Sequence, residues 1–111
     1  MGESTAQSLA SLLAQGSAAN DALQLDEALG AYQQAVDLDG HSLEARLGLA
    51  RALMKMRRHE EARVQLDAAL EIAPDDPRAL TVEGSWHFLM DDNATAIASL
   101  ERAISLNDRD P

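Results

Sequence analysis

The basic side chains are the residues whose type and spacing most favour a chemical role. Six of the nine lie between Arg46 and Arg63, and no basic residue precedes Arg46. Arg51 and Lys55 are one helical turn apart and could together hold a carboxylate through charge-assisted hydrogen bonds. The alternative is that these cations form weak surface pairs that only improve solubility. Their candidate partners within the chain are Asp26, Glu27, Glu60 and Glu61.

The other reactive residue types are not arranged for catalysis or metal binding. His41, His59 and His87 lie at unrelated positions without the paired spacing of zinc ligands. The chain has no Cys, which removes thiolate ligands and a cysteine nucleophile. No serine lies in a nucleophile elbow, no glycine-rich phosphate loop is present, and no two carboxylates stand out as acid and base. We therefore predict a non-enzymatic chain without cofactor or metal.

The net charge narrows the class of partner. Nine Lys and Arg against nineteen Asp and Glu give a net charge of -10. A general field of this sign repels nucleic acid and anionic membranes, so neither is an expected partner. The longest apolar runs are too short to insert across a bilayer, and residues 1–5 lack the features of a signal peptide. We expect a soluble chain whose compartment stays open, cytoplasmic or, in a bacterium, periplasmic.

The elements that position these residues follow a period of thirty-four residues. Apolar residues make up 46% of the chain but aromatic residues only 3%, a composition typical of closely packed helices. The clearest copy of the repeat spans Leu43 to Asp76. Sliding the sequence by one period aligns Gly16, Ala50 and Gly84; Ala28, Ala62 and Ala96; Tyr32, Leu66 and Leu100; and Ala35, Ala69 and Ala103.

Each copy is predicted to form two amphipathic helices. The predicted ranges are 9–22, 26–38, 43–56, 59–73, 77–90 and 94–106. Ser42 and the pair Asp76-Pro77 are typical helix starts, and Pro74 is a typical stop. Gly40 is expected to end the second helix in a left-handed conformation.

This period, with small residues where helix axes must approach closely, resembles the tetratricopeptide repeat (TPR) family. The resemblance covers Leu9 to Asp110 and implies an all-α, right-handed superhelical stack of three antiparallel helix hairpins. The repeats would span 9–42, 43–76 and 77–110 and form a single domain. Residues 1–8 would be disordered or foreign to the native protein.

The resemblance also implies a binding groove along the first helix of each hairpin. Apolar groove residues could accept anchors of a peptide, and the basic ones could hold a carboxylate or the C-terminal end of a partner helix. The groove residues predicted in this way are Leu13, Leu47, Arg51, Met54, Lys55, Arg78, Phe88 and Leu89. The alternative is a solvated face on which Leu and Met pack only locally.

One known activity of the family, gripping the acidic tails of heat-shock chaperones, is not expected. That activity uses a clamp of Lys, Asn and Arg side chains for two carboxylates. The corresponding positions here are Leu13, Ser17, Gly48, Arg78 and Val82. Only Arg78 fits.

The outer copies depart from the pattern of the middle one. Gln15 and Glu83 are polar where the middle copy has Leu49, so the outer copies should be more weakly packed or contact something else. The last helix is expected to leave an apolar row partly uncovered, consisting of Ile97, Leu100, Ile104 and Leu106. Trp86 either packs on the preceding hairpin or is an exposed contact for a partner.

The sequence thus predicts a non-catalytic protein–protein interaction module that binds a peptide or helix in its groove, as part of a larger protein or assembly. The alternative is structural: self-association into a homo-oligomer through the uncapped terminal helices, or a positioning segment of a multidomain enzyme.

Overall fold

The computed structural model describes residues 5–107, and this range contains six α-helices and no strand. The helices are α1 Thr5–Asp21, α2 Leu25–Leu38, α3 Leu43–Lys55, α4 His59–Ile72, α5 Pro77–Leu89 and α6 Asn93–Asn107. The predicted all-α class is confirmed. Within the described range, no helix is both long and apolar enough to cross a membrane.

The helices form three hairpins, because each short connection folds a helix back on its predecessor. The hairpins α1–α2, α3–α4 and α5–α6 stack so that α2 packs on α3 and α4 packs on α5. The first helices also lie side by side, α1 against α3 and α3 against α5. The result is an elongated stack that measures 50 × 35 × 23 Å.

Helix α1 begins at Thr5 rather than at the predicted Leu9. Thr5 to Ser8, which were expected to be disordered or foreign to the native protein, thus belong to α1, since extending a formed helix by residues such as Ala6 and Gln7 is favourable. Residues 1–4, on which the rest of that prediction falls, lie outside the described range, as do residues 108–111. All other helix ends agree with the prediction to within one residue.

The predicted helix starts are confirmed by their hydrogen bonds. The Ser42 hydroxyl accepts from the backbone N–H of Ala45 at 3.2 Å. The Asp76 carboxylate accepts from the backbone N–H of Arg78 at 2.8 Å, and Pro77 follows it in the first turn of α5. These caps satisfy N–H groups that have no partner inside their helix.

The turn inside each hairpin uses a left-handed residue that is not glycine. Leu23, Arg57 and Asp91 have φ angles of 60°, 62° and 62° and occupy equivalent positions of the repeat. After Arg57, the N–H of Arg58 donates to the carbonyl of Leu53 at 2.9 Å, which closes the end of α3. The same backward bond occurs in the other two turns.

The prediction of a left-handed Gly40 is wrong, since none of the glycines described has a positive φ. The chain instead leaves α2 through the extended residue Asp39, with φ -147°. Gly40 has another part in the structure, because its carbonyl accepts a hydrogen bond from Arg46 Nε at 3.0 Å.

The aligned small residues lie where helices approach most closely, as predicted. A Cβ atom added at Gly16 would lie 2.8 Å from the Tyr32 ring, and one at Gly84 would lie 2.8 Å from Leu100 Cγ. The same Tyr32 ring also packs on Gly48 of the next hairpin, where a Cβ would overlap it. Tyr32 therefore joins the first hairpin to the second.

The two polar departures have different environments. Gln15 is exposed, whereas Glu83 is half-buried between hairpins. Glu83 pairs with Arg63 at 3.4 Å and accepts a hydrogen bond from the Ser99 hydroxyl at 3.4 Å. A carboxylate is tolerated there because both neighbours supply donors to it.

Candidate functional site

The adjacent first helices α1, α3 and α5 form one continuous surface, which we call the groove face. It contains two cavities that share Arg51. We call them the apolar notch, between α3 and α5, and the tyrosine notch, between α1 and α3.

The apolar notch has a volume of about 350 Å³. Met54, Val82 and Leu89 supply its apolar lining, and Thr81 and Ser85 add hydroxyl groups. Arg51 and Lys55 also line it. A mostly apolar cavity of this size that includes two cations suits an aliphatic side chain next to a carboxylate.

The tyrosine notch is smaller, about 210 Å³, and more polar. It is lined by Leu13, Ser17, Tyr32, Glu44, Leu47, Arg51 and Arg78. Burial raises the pKa of the Tyr32 hydroxyl, while the charge of Arg51 and a hydrogen bond with Ser17 act in the opposite direction. The hydroxyl is therefore neutral at physiological pH and can take part in hydrogen bonds at the base of the notch.

Arg51 is a cation of the groove face that remains available to a partner. Within residues 5–107 its guanidinium forms no ion pair with a carboxylate. Its neighbour Lys55 donates one hydrogen bond, 3.4 Å long, to the backbone carbonyl of Asn20. Neither cation forms an ion pair with an acid of the described residues, so both retain donors for a partner.

Arg78 already interacts with two carboxylates of its own chain. It forms two hydrogen bonds to the Asp76 carboxylate, at 3.1 and 3.0 Å, and approaches Glu44 to 3.8 Å. The hydrogen bonds that Arg78 donates to the Asp76 carboxylate lower the pKa of Asp76 and raise the pKa of Arg78. A partner carboxylate would have to compete with Asp76 for this side chain.

The eight predicted groove residues are not all brought together. Arg51, Met54, Lys55 and Leu89 meet in the apolar notch, and Leu13, Arg51 and Arg78 meet in the tyrosine notch. Leu47 also lines the tyrosine notch, but it is only 2% exposed and packs in the core, so little of its side chain is available to an anchor. Phe88 is exposed but lines neither notch.

Two residues that line the notches, Tyr32 and Val82, were missed by sequence reasoning. Tyr32 belongs to a second helix, yet its ring reaches the tyrosine notch between Gly16 and Gly48. The sequence feature that could have indicated this contact is that Tyr32 is the largest residue at its repeat position, while Gly16 and Gly48 are glycines. Val82 was considered only as a position of the chaperone clamp, yet it lines the apolar notch.

Away from the groove face, several basic residues are paired within the chain. Arg58 binds Glu61 at 2.6 Å, a hydrogen-bonded pair that lowers the pKa of Glu61. Arg63 binds Asp67 at 2.8 Å as well as Glu83. The expectation of surface pairing is confirmed for Arg58 and Glu61, and among the described residues Asp26, Glu27 and Glu60 form no such ion pair.

Trp86 packs on the preceding hairpin. Its Nε1 donates to the His59 carbonyl at 3.0 Å, and the Arg63 guanidinium lies 4.9 Å from its ring centroid. The half-buried ring contacts both core clusters. Trp86 therefore joins the second hairpin to the third, and the alternative of an exposed contact is wrong.

The histidines are not gathered around a common point. His87 Nδ1 lies 3.8 Å from Asp92, and the backbone carbonyl of His59 accepts from Trp86. In the part of the chain that the structure describes, no three His, Cys, Asp or Glu residues are grouped to hold a metal ion.

The family model of the tetratricopeptide repeat matches residues 12–84. No curated protein matches the chain in sequence.

Solved structures of low sequence identity share the whole fold. The Arabidopsis OM64 TPR domain is similar with a TM-score of 0.84 and 19% identity, covering 96% of this chain and 88% of that one. The first TPR of Spaghetti (RPAP3), bound to the HSP90 peptide SRMEEVD, gives 0.82 and 19%, with 94% and 82% covered. The Yersinia enterocolitica type III secretion translocator chaperone SycD, in an alternative dimer, gives 0.83 and 18%, with 95% and 80% covered.

Proposed function

The chain belongs to the tetratricopeptide repeat family, and on that basis we propose that it is a non-catalytic interaction module that binds a peptide or helix on its groove face. The observation that carries the proposal is the position of Arg51, which lines both cavities and forms no ion pair with any residue in the range 5–107. A peptide acid at Arg51 and Lys55, with a neighbouring aliphatic side chain in the apolar notch, would use both features.

The acidic character of the rest of the chain restricts where an acidic peptide can bind. The net charge of -10 repels acidic segments from most of the surface. Only a segment that places its carboxylate at the local cations of α3 gains attraction. A similar fold binds the peptide SRMEEVD in RPAP3, which supports a peptide as the class of partner.

The binding mode would differ from the chaperone clamp. At the clamp positions this chain has Leu13, Ser17, Gly48, Arg78 and Val82. Arg78 is the only basic residue among them, and it already binds Asp76. We therefore place the main carboxylate contact at Arg51 and Lys55.

Selection from a random peptide library on the immobilised protein tests the proposal. We expect selected peptides to carry an acid beside an aliphatic residue, and Arg51→Glu to weaken them about tenfold or more, since a hydrogen bond to a charged group contributes about 1.5–3 kcal/mol. Adding Arg78→Glu should weaken binding further without unfolding the stack. Arg57→Glu, the same charge change in the exposed turn, is the matched control.

The titrations separate the groove from other surfaces. Equal loss of affinity in Arg51→Glu and Arg57→Glu would mean that only the overall charge matters. Unchanged affinity in the double variant of Arg51 and Arg78, or no selected peptide at all, would contradict binding on the groove face. Circular dichroism of each variant checks that the helices are retained.

A second candidate function, self-association, is favoured by the exposed apolar side chains of α6. Ile97, Leu100 and Ile104 recur on one side of this helix, and all three are exposed. Leu106, predicted to belong to the same row, is half-buried. Sedimentation of the wild-type chain at increasing concentration tests this candidate, and a monomer throughout would contradict it.

A further inference from the structure

The last hairpin exposes side chains at positions that the earlier hairpins bury. Leu100 is 37% exposed, whereas its equivalents Leu66 and Tyr32 are 0% and 6% exposed. Leu100 still packs on Gly84 of its own hairpin, as Tyr32 packs on Gly16. The exposed part of Leu100 is therefore the side that a following helix covers in the earlier hairpins.

Two further positions show the same difference. Ile104 is 63% exposed, while its equivalents Leu70 and Val36 are half-buried. Phe88 is 65% exposed, while its equivalent Met54 is half-buried against both core clusters. We call the surface formed by Phe88, Ile97, Leu100 and Ile104 the trailing face.

The opposite end of the stack shows the complementary pattern on α1. Its residues at the repeat positions that pack on a preceding hairpin are small or uncharged, and all are exposed. These residues, which we call the leading face, are Ser11, Ala14, Gln15 and Ala18. Their equivalents in α3, which are Ala45, Gly48, Leu49 and Ala52, are all buried against the first hairpin.

The chain contains two junctions between hairpins: the first joins α1–α2 to α3–α4, and the second joins α3–α4 to α5–α6. These junctions show which residues of the trailing and leading faces would meet. At the first junction Tyr32 packs on Gly48, and at the second Leu66 shares a core cluster with Val82. In both, a large residue on one side is matched by a smaller one on the other. The same register places Leu100 opposite Ala14, a pair intermediate in size.

At the one position where the second junction holds an ion pair, the register places uncharged residues in the new junction. At the second junction Arg63 and Glu83 face each other 3.4 Å apart. In the new junction Ile97 of one copy would take the position of Arg63, and Gln15 of the other copy would take the position of Glu83. At the first junction that position is apolar, since Leu29 packs against the cluster that contains Leu49. An uncharged pair therefore fits the position.

We propose that the trailing face binds the leading face of a second copy of this chain, so that α1 of that copy continues the stack. This inference rests on self-association, the second candidate function, and specifies its geometry. The contact joins two different surfaces, so each added copy leaves a new trailing face and the assembly is open. It continues a type of interface that the chain already forms twice within itself.

Sedimentation of two blocked variants, alone and mixed, tests the geometry. Ile104→Glu blocks the trailing face and Ala14→Glu blocks the leading face. Each variant alone should lose the concentration-dependent association of the wild type. An equimolar mixture should form a dimer and nothing larger, because each partner retains the one face that the other has lost. Val64→Glu on α4, with the same 63% exposure as Ile104, should associate like the wild type.

Each failure has a distinct meaning. A wild-type chain that stays monomeric at every concentration overturns self-association itself and this geometry with it. Association that persists in Ala14→Glu alone overturns the head-to-tail contact and favours a symmetric contact through α6. A mixture that stays monomeric also overturns the head-to-tail contact. Leu100→Glu provides a second block of the trailing face, and the helical signal of every variant confirms folding.

Discussion

The middle and last hairpins share one repeat pattern but differ in how far it is buried. Leu66 and Leu100 occupy the same position, and each packs across its own hairpin. Leu66 is fully buried because α5 covers it, whereas no described helix covers Leu100. Burial in a stacked repeat is thus decided by the neighbouring hairpin as much as by the residue. The middle hairpin has two neighbours and so contributes more buried hydrophobic residues to the core than either outer hairpin.

The largest effect should come from comparing Leu66→Ala with Leu100→Ala. We expect Leu66→Ala to lower the free energy of unfolding by about 2–5 kcal/mol, since it leaves a cavity between two hairpins. Leu100→Ala should cost less than half as much, because part of that side chain is already in water. Urea denaturation measures both. Equal costs would show that the following hairpin is not the cause of the difference.

A comparison of two glycines examines the other side of the middle hairpin. Gly48→Ala should destabilise the protein by about 1–3 kcal/mol, because the new methyl group overlaps Tyr32, which Gly16 confines from the other side. Gly30→Ala meets no atom within 4 Å and lies in a helix, so it should stabilise by about 0.5–1 kcal/mol. Thermal unfolding followed by circular dichroism distinguishes the signs. Stabilisation by both would contradict the tight first junction.

Trp86→Phe weakens the junction between the middle and last hairpins. It removes the hydrogen bond to the His59 carbonyl. It also replaces the indole ring, which binds a cation more strongly than a phenyl ring does, in the contact with the Arg63 guanidinium. We expect a loss of about 1–2 kcal/mol from the two contacts together. A double-mutant cycle with Arg63→Met isolates the cation–ring contact, and a coupling energy of zero would show that this contact contributes nothing.

The smallest effect concerns the acid dependence of the start of α5. The hydrogen bond from Arg78 lowers the pKa of Asp76 in the folded state, so its ionised form stabilises the fold at pH values above the ordinary Asp pKa. This contribution, about 0.3–1 kcal/mol, should disappear as the pH falls through that value towards the folded-state pKa. Asp76→Asn keeps a capping oxygen but removes the charge, so its unfolding free energy should vary less with acid. An unchanged pH profile would exclude this role.

Sequence reasoning recovered most of the fold because helix periods and caps are local. Ser42 and Asp76 are residue types that predict a helix start, and the small residues Gly16 and Gly84 predict close helix contacts. Gly40 was assigned wrongly because glycine permits a left-handed conformation without requiring it. The three left-handed turn residues were not predicted, since Leu23 and Arg57 have no intrinsic preference for that conformation.

The groove was predicted less well, because a repeat position fixes the side of a helix but not what covers it. The same reasoning selected Arg51 and Arg78 as carboxylate ligands. Only the structure shows that Arg78 already binds Asp76, while Arg51 pairs with no acid in the part of the chain that is described. It also shows that Leu47 is covered by its neighbours and Phe88 is not.

The sequence by itself determined the thirty-four-residue period, the six helices, their caps and the places of closest helix approach, because each depends on residues within a few turns of one another. The tertiary structure decided which side chains are buried, which cations remain unpaired and how one hairpin joins the next. Those features depend on contacts between residues far apart in the chain, such as Tyr32 with Gly48 and Arg63 with Glu83. Such contacts form only when the hairpins are stacked.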